Sequence, residues 1–200
     1  MTDLEFLSAI KDDVIKNMKE SGILASLTAA QAFLESNKGN SKLAKSPNNN
    51  LFGIKGSYNG QYVIMPTKEY KNGQYITIEA KFRKYPNWKA SIDDHSMLFL
   101  NMSRYKNLIN ERDYIRACFN VQEDGYATSP TYAKSLITVI EKYKLYDWDN
   151  ADPEPVDLDL AFAIDILAKR VIDGKFGQGH EMRKNSIYEL IRKRVNDILK

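Results

Sequence analysis

One glutamate of this 200-residue chain, Glu35, stands where its sequence neighbours favour acid–base chemistry. Apolar residues at helical spacing predict a helix over about 23–37, which puts Glu35 in its last turn. The partial negative charge of a helix C-terminus disfavours a carboxylate, and Phe33 and Leu34 are expected to desolvate it further. Both effects raise the pKa of the carboxyl, as a general acid for glycoside cleavage requires. The alternative is a solvated surface glutamate, the common state of charged helical residues.

The composition excludes several classes of protein. Hydrophobic residues make up 43% of the chain and charged residues 28%, as in soluble globular proteins. The net charge of +3 is too small and too evenly spread to indicate nucleic acid as a partner, although it suits an anionic polymer. The single Cys118 excludes an internal disulfide, and with only two histidines a structural zinc site is not expected. We therefore predict no metal and no cofactor.

The N-terminal residues predict how the chain reaches its place of action. They contain no positively charged segment followed by an apolar run, so we expect no signal peptide. No window approaches the roughly 18 to 20 apolar residues that span a bilayer, so we expect no membrane insertion. The expectation is a protein made in the cytoplasm, which would need a separate release system to act outside the membrane.

The elements around Glu35 follow from periodicity and turn signals. An amphipathic helix over 3–20, with Thr2 as N-cap, is expected to break at Ser21-Gly22. Further along, Asn59-Gly60 and Asn72-Gly73 are hairpin-turn signals that separate three predicted strands, Leu51–Ser57, Gln61–Met65 and Gln74–Lys81. Helical patterns return at about 89–102, 110–119 and 130–145. Helices around a small antiparallel β-lobe predict an α+β domain over residues 1–145.

The last quarter of the chain has a different character. Residues 146–156 hold four acidic residues and two prolines without periodicity, and are predicted to be a semi-rigid linker. Residues 157–200 contain two helical stripes on either side of a glycine-punctuated turn over 174–179. We predict a small all-α, three-helix bundle there, with little core of its own.

Several motifs, in order over about residues 20–145, resemble the signature of family 73 glycoside hydrolases, which are glucosaminidases of autolysins, phage lysins and flagellar wall hydrolases. The matching stretches are Gln31–Ser41, Asn49–Gly56, Thr67–Tyr70 with Asn72-Gly73, Ala80–Pro86, Ser91–Ser96 and Tyr126–Ala133. The resemblance implies a lysozyme-like fold. This chain departs from the family pattern at Asn37-Lys38, where Gly-Trp is frequent, and at Ser129, where an aspartate is frequent.

The resemblance also implies the catalytic residues. It places the catalytic acid at Glu35, a second carboxylate at Glu69 in the β-lobe, and a tyrosine near the cleft floor at Tyr126. Carboxylate separations of about 5 Å and of roughly 6.5 to 9.5 Å distinguish retaining from inverting enzymes, and a hairpin can move between them, so the mechanism stays open. The alternatives are an exposed hairpin charge for Glu69 and simple packing for Tyr126.

Substrate-binding roles are predicted for three further residues, Asn50, Phe52 and Trp88. Asn50 and Phe52 belong to the matched motif, and Trp88 could stack on a sugar ring with Tyr85 beside Lys84, although core packing is an equal alternative for Trp88. His95, which follows Asp93-Asp94, is expected to be a hydrogen-bonded residue at a helix start and not a catalyst.

The C-terminal segment carries a second resemblance, to the type 7 cell-wall-binding repeat of phage lysozymes, a three-helix bundle that binds muropeptide. The matching residues run from Leu167 to Gly179 and continue at Met182–Asn185 and at Arg194–Leu199. The predicted wall-binding residues are Phe176, Gln178 and Arg183, with Phe176 in place of the usual tryptophan. Only one copy is present, so self-association into a homo-oligomer is expected to supply a second. The alternative for the glycine-rich turn is a plain helix connection.

Together these features predict a phage or prophage endolysin, released by a holin, that cleaves the β-1,4 bond after N-acetylglucosamine in bacterial peptidoglycan. The first alternative is a muramidase or lytic transglycosylase of the same fold. The second is a non-catalytic wall-binding or virion structural protein, which would need neither Glu35 nor Glu69.

Overall fold

The computed structural model describes residues 1–71 and 74–150, leaving aside the side chains of 68–71 and 75. The predicted turn at Asn72-Gly73 and all calls on residues 151–200, including Phe176, Gln178 and Arg183, therefore lie outside the described residues. The helices are α1 (Asp3–Ser21), α2 (Ala25–Glu35), α3 (Trp88–Asn101), α4 (Tyr114–Glu123) and α5 (Tyr132–Tyr143), with strands β1 (Tyr62–Lys71) and β2 (Gln74–Arg83) between α2 and α3. Two 3-10 helices, η1 (Ser103–Leu108) and η2 (Leu145–Asn150), follow α3 and α5.

Local signals set both ends of α1. Thr2 and Glu5 form a reciprocal capping box, which satisfies backbone N–H groups that the first turn leaves free. The helix stops at Gly22, whose φ of 75° is accessible to glycine at little cost. The predictions of Thr2 as N-cap and of a break at Ser21-Gly22 are confirmed.

Helix α2 is the central element of the helical core. All its residues from Ala25 to Phe33 are buried, including the polar Ser26, Thr28 and Gln31. Leu24 at its N-terminus offers no side-chain cap, and Asp149 of η2 supplies one instead by accepting the Ser26 N–H at 2.8 Å. A helix buried on every side is held in one position, so its C-terminal residue, Glu35, is held there too.

The β-lobe has two strands and not the three predicted. β1 and β2 pair antiparallel over their whole lengths, from Tyr62 opposite Arg83 to Lys71 opposite Gln74. The predicted first strand is reduced to a single bridge between Lys55 and Phe82. Leu51 and Phe52 are both buried in the helical core instead of alternating, and Gly56 adopts a φ of 106°, so this segment cannot run as a strand.

The turn before β1 matches its sequence signal. Asn59 and Gly60 have φ values of 48° and 78°, the left-handed pair that a two-residue hairpin turn needs. Tyr58 and Gln61 exchange both backbone hydrogen bonds around it, at 2.9 and 2.8 Å. This prediction is confirmed, although the turn closes on an isolated bridge and not on a long strand pair.

The later helices follow the prediction with shifted boundaries. α4 begins at Tyr114 instead of near residue 110, because Asp113 accepts the backbone N–H groups of Ile115 and Arg116 as N-cap. η2 occupies the first residues of the predicted linker, where Leu145 is fully buried and Asp149 caps α2. The linker prediction is therefore wrong for residues 146–150, which belong to the first domain. The α+β class is confirmed, and none of the described helices is long and apolar enough to cross a membrane.

Candidate active site

Glu35 is the last residue of α2, as its sequence position predicted. Water reaches the residue at the surface, but the protein atoms around its carboxyl desolvate the charged form and raise its pKa. The hydrogen bond from Tyr132 acts in the opposite direction and is the smaller influence. The partial negative charge of the α2 C-terminus adds to the rise. The result is a carboxyl group that water can reach and that holds its proton to higher pH than a surface glutamate.

Two successive hydrogen bonds, through Tyr132 to Gln31, fix the orientation of this carboxyl. The Tyr132 hydroxyl donates to Glu35 Oε1 at 2.8 Å and accepts from Gln31 Nε2 at 3.3 Å. Gln31 lies one turn before Glu35 on α2 and is fully buried, while Tyr132 is the first residue of α5. Sequence reasoning did not single out either residue, although both stand inside motifs that resemble the family.

Tyr126 lies next to Tyr132, so the structure brings it together with Glu35. Its ring stacks on Tyr132 with centroids 5.9 Å apart and an angle of 19° between planes. Burial, followed by the charge of Glu35, raises the pKa of its phenol well above 10, so the hydroxyl stays protonated. The described residues provide no hydrogen-bond partner for this hydroxyl.

His95 packs against the ring of Tyr126. It does not lie at a helix start. It lies in the middle of α3, is fully buried, and has no hydrogen-bond partner within the described chain at either ring nitrogen. Its ring stacks on Phe52, with centroids 3.9 Å apart, and meets Tyr126 edge-on at 5.7 Å. Desolvation lowers its pKa to about 3, so the ring is neutral at working pH. The expectation of a hydrogen-bonded residue at a helix start is wrong.

Glu69 is placed by its backbone alone. It lies on β1 opposite Ile76 of β2, two residues before the strand ends. On the described part of β1, Val63, Met65 and Thr67 are half-buried, whereas Tyr62 and Ile64 are exposed. The role of Glu69 as second carboxylate stays a prediction.

The side chains of the three predicted substrate-binding residues mainly make contacts within the protein. Asn50 is buried, and its amide donates to the carbonyls of Ile54 and Arg83 and accepts from the Ile54 N–H. Phe52 is buried against His95. Trp88 is half-buried, and its indole N–H donates to Ala44 O at 2.7 Å. Gly39, which has a φ of 71°, lies so close to the Trp88 ring that an added Cβ would be 3.0 Å from it. We assign Asn50 and Phe52 to positioning the site, and Trp88 mainly to packing.

The described residues include no group of three or more histidine, cysteine or carboxylate side chains that could hold a metal ion. The site offers a carboxyl group of raised pKa at Glu35 and two tyrosine hydroxyls, and β1 carries a further carboxylate at Glu69. A carboxylic acid held in this way on a helical lobe beside a small β-lobe defines a glycosidase of the lysozyme-like class.

The family is shown by direct comparison. The model of the glucosaminidase family, described as mannosyl-glycoprotein endo-beta-N-acetylglucosaminidase, matches residues 11–145. The chain belongs to this family of glycoside hydrolases. The match covers Glu35, Glu69, Tyr126 and Tyr132 and ends where α5 ends and η2 begins.

Individual relatives agree with the family assignment. The chain is 44% identical over 147 residues to the exo-glucosaminidase LytG of Bacillus subtilis, and this covers 71% of the chain and 52% of that protein. It is 37% identical over 138 residues to a probable N-acetylmuramidase of Lactococcus lactis, covering 66% of the chain and 31% of that protein. The catalytic domain of the autolysin Auto from Listeria monocytogenes matches with a TM-score of 0.70 and 39% identity, over 74% of this chain and 87% of that one. The chain thus spans about half or less of the curated relatives it matches.

Proposed function

We propose that this protein hydrolyses bacterial peptidoglycan at the β-1,4 bond between N-acetylglucosamine and N-acetylmuramic acid, with Glu35 as general acid. The observation that carries the proposal is the Glu35 carboxyl, whose pKa desolvation raises and whose orientation the Tyr132 hydroxyl fixes, in a chain of the glucosaminidase family. A protonated carboxyl at this place can donate to the oxygen of the leaving sugar. LytG, Auto and the Lactococcus enzyme bear names that refer to wall sugars or autolysis, which supports the substrate class.

The second carboxylate of the reaction is assigned to Glu69 on β1. It acts either on the anomeric carbon, as nucleophile, or on a water molecule, as base, according to its distance from Glu35 in the complex. Tyr126, with a free and protonated hydroxyl beside Tyr132, is assigned to the N-acetyl group or to the attacking water. These roles rest on the positions of the backbone and rings described above.

The names of the relatives differ on which glycosidic bond is cleaved. One is an exo-glucosaminidase and another a probable N-acetylmuramidase, so a muramidase is the second candidate. Mass spectrometry of borohydride-reduced digestion products tests the choice. Reduced N-acetylglucosamine ends are expected, reduced muramic acid ends would establish the muramidase, and anhydro-muramyl ends would establish a lytic transglycosylase. Purified walls that keep their turbidity would instead indicate a non-catalytic wall-binding protein.

We further propose a phage or prophage endolysin that reaches the wall through a holin and is targeted by residues 157–200. The support is the resemblance of Phe176, Gln178, Arg183 and their neighbours to the wall-binding repeat. The test is a chain that ends at Asn150, which keeps η2 and therefore the Asp149 cap on α2. It is expected to cleave soluble glycan fragments at the parental rate and to lose activity on intact walls, because tethering raises the local concentration of enzyme at its polymer. Normal clearing of intact walls by this chain would reject the targeting role.

A further inference from the structure

A groove that the proposed catalysis does not use runs along the base of the hairpin. One cavity of about 390 Å³ lies between the loops around 46–49, 58–61 and 84–86. A second, of about 470 Å³, continues from it along the start of α3 as far as Lys89. The two share Ser46, Asn49 and Pro86 in their walls, so they form one continuous groove.

The walls of this groove are built by specific contacts. Asn49, held at a φ of 52°, donates from its amide to the carbonyls of Tyr85 and Pro86 at 3.0 and 3.2 Å. The Tyr58 ring packs against the Tyr85 ring with centroids 4.8 Å apart, and the turn from Tyr58 to Gln61 is closed by two backbone hydrogen bonds. The groove is thus already formed in the free protein, which lowers the entropy cost of binding.

The groups that face this groove are those that recognise a charged glycan. Tyr58 is half-exposed and offers part of an aromatic face, on which the C–H face of a sugar can stack. The side chains of Asn59, Gln61 and Lys84 form no hydrogen bond or ion pair within the described residues. Two amides can pair with hydroxyl or N-acetyl groups, and one ammonium can pair with a carboxylate. Lys45, exposed next to Ser46, adds positive charge at the rim.

The groove is built from different elements than the catalytic residues. Its walls come from three loops at the base of the hairpin, the first turn of α3 and, next to Lys89, Asp13 of α1. The Glu35 carboxyl is held by α2 and α5, through Gln31 and Tyr132. Neither Glu35 nor Gln31, Tyr126 or Tyr132 lines the groove.

We infer that this groove is a second glycan-binding site, which holds a stretch of N-acetylated, carboxylate-bearing sugar polymer while Glu35 acts on another stretch. The inference rests on the proposed function for the identity of the polymer as peptidoglycan. Its consequence is that long chains gain binding that short fragments cannot, because a second attachment raises the effective concentration of the polymer at the enzyme.

The experiment uses the full chain carrying Gln61→Ala and Lys84→Glu, two changes at side chains that form no hydrogen bond or ion pair within the described residues. Lys106→Glu on η1 is the matched charge control, since Lys106 is exposed and outside the groove. Two quantities are measured: sedimentation with purified peptidoglycan, in a Glu35→Gln background that prevents turnover, and the rate on a soluble muro-tetrasaccharide. The groove variant is expected to bind the polymer about tenfold more weakly and to keep the tetrasaccharide rate within about twofold.

Two results would overturn the inference. If binding to the polymer equals that of the control, the groove holds no glycan. If the tetrasaccharide rate falls in parallel with polymer binding, the groove belongs to the catalytic site. The proposed function fails in a different way, through a parent protein that leaves peptidoglycan uncleaved, while the sedimentation assay still reports whether the groove binds the polymer.

Discussion

The helical core around Glu35 and the β-hairpin that carries Glu69 are built on opposite principles. Around Glu35, the residues of α2 from Ala25 to Phe33 are all buried, and the carboxyl is oriented by a tyrosine that comes from 97 residues further along the chain. In the hairpin, Phe82 is the single buried residue among the side chains that the structure describes on its two strands. The proposed proton donor is therefore fixed by tertiary packing. The proposed second carboxylate belongs to an element that is held mainly by its own strand pairing.

The largest effect on activity is expected in the helical core, at Glu35. Glu35→Gln keeps the shape of the side chain but removes the transferable proton, so turnover of soluble glycan should fall on the order of 10² to 10⁴-fold. Glu123→Gln is the matched control, because Glu123 is also an exposed glutamate at the last position of a helix. Circular dichroism should show both variants folded. Activity of Glu35→Gln within about tenfold of the parent would reject Glu35 as the general acid.

Glu69→Gln tests the hairpin side of the comparison. We expect a strong loss of turnover that is smaller than for Glu35→Gln, on the order of 10 to 10²-fold, because water or the acetamido group of the substrate can take over part of the role of the base. Glu79→Gln on β2, an exposed position, is the control on the same hairpin. Full activity of Glu69→Gln would mean that the reaction needs no carboxylate from the hairpin.

The contrast between the two regions also separates what the sequence could predict from what it could not. The N-cap at Thr2, the end of α1 at Ser21-Gly22 and the Asn59-Gly60 turn depend on neighbours in the chain, and all three follow the prediction. The third strand failed because its residues Leu51 and Phe52 serve the helical core, which a local pattern does not reveal.

The site shows the same division. Glu35 could be located because a helix end and a motif are local features. The pairing of Tyr132 with Glu35 and the stacking of Phe52 on His95 depend on contacts across 97 and 43 residues of sequence. His95 was misjudged for this reason: its Asp-Asp neighbours suggested a polar helix start, whereas packing buries it in an aromatic cluster.

Tyr132→Phe tests how strongly the contact from α5 controls the activity and the pKa of Glu35. The change removes the hydroxyl that donates to Glu35, and a hydrogen bond to the neutral, protonated carboxyl is worth about 0.5 to 1.5 kcal/mol, so turnover should fall by up to about tenfold. That bond lowers the pKa of Glu35, so its loss should raise this pKa and move the alkaline limb of the kcat/KM profile to higher pH. Tyr143→Phe on the same helix, whose hydroxyl donates to Asp3, should leave the limb in place. Equal profiles for the two variants would remove Tyr132 from the site.

The smallest effect on activity is expected deepest in the core, at His95→Phe. The ring is neutral, unpartnered and held by stacking, so phenylalanine should preserve the support under Tyr126 and keep turnover at neutral pH within about threefold of the parent. Acid stability should change instead. The folded-state pKa of about 3 lies below the ordinary 6.5, so between these values the unfolded chain binds a proton that the folded chain does not. This contribution to stability is complete above pH 6.5 and is lost toward pH 3, at about 1.4 kcal/mol per pH unit.

The measurement for His95→Phe is urea unfolding at pH 7 and at pH 4.5. Between these two conditions the parent should lose about 2 to 3 kcal/mol more unfolding free energy than His95→Phe, because the carboxylates contribute equally to both proteins and only the imidazole differs. Equal losses would show that the histidine is protonated, or reached by water, in the folded state. A large loss of turnover at neutral pH in a variant of unchanged stability would mean that an imidazole nitrogen takes part in the chemistry. The packed region would then contain a second functional group, and the contrast with the hairpin would no longer lie in packing alone.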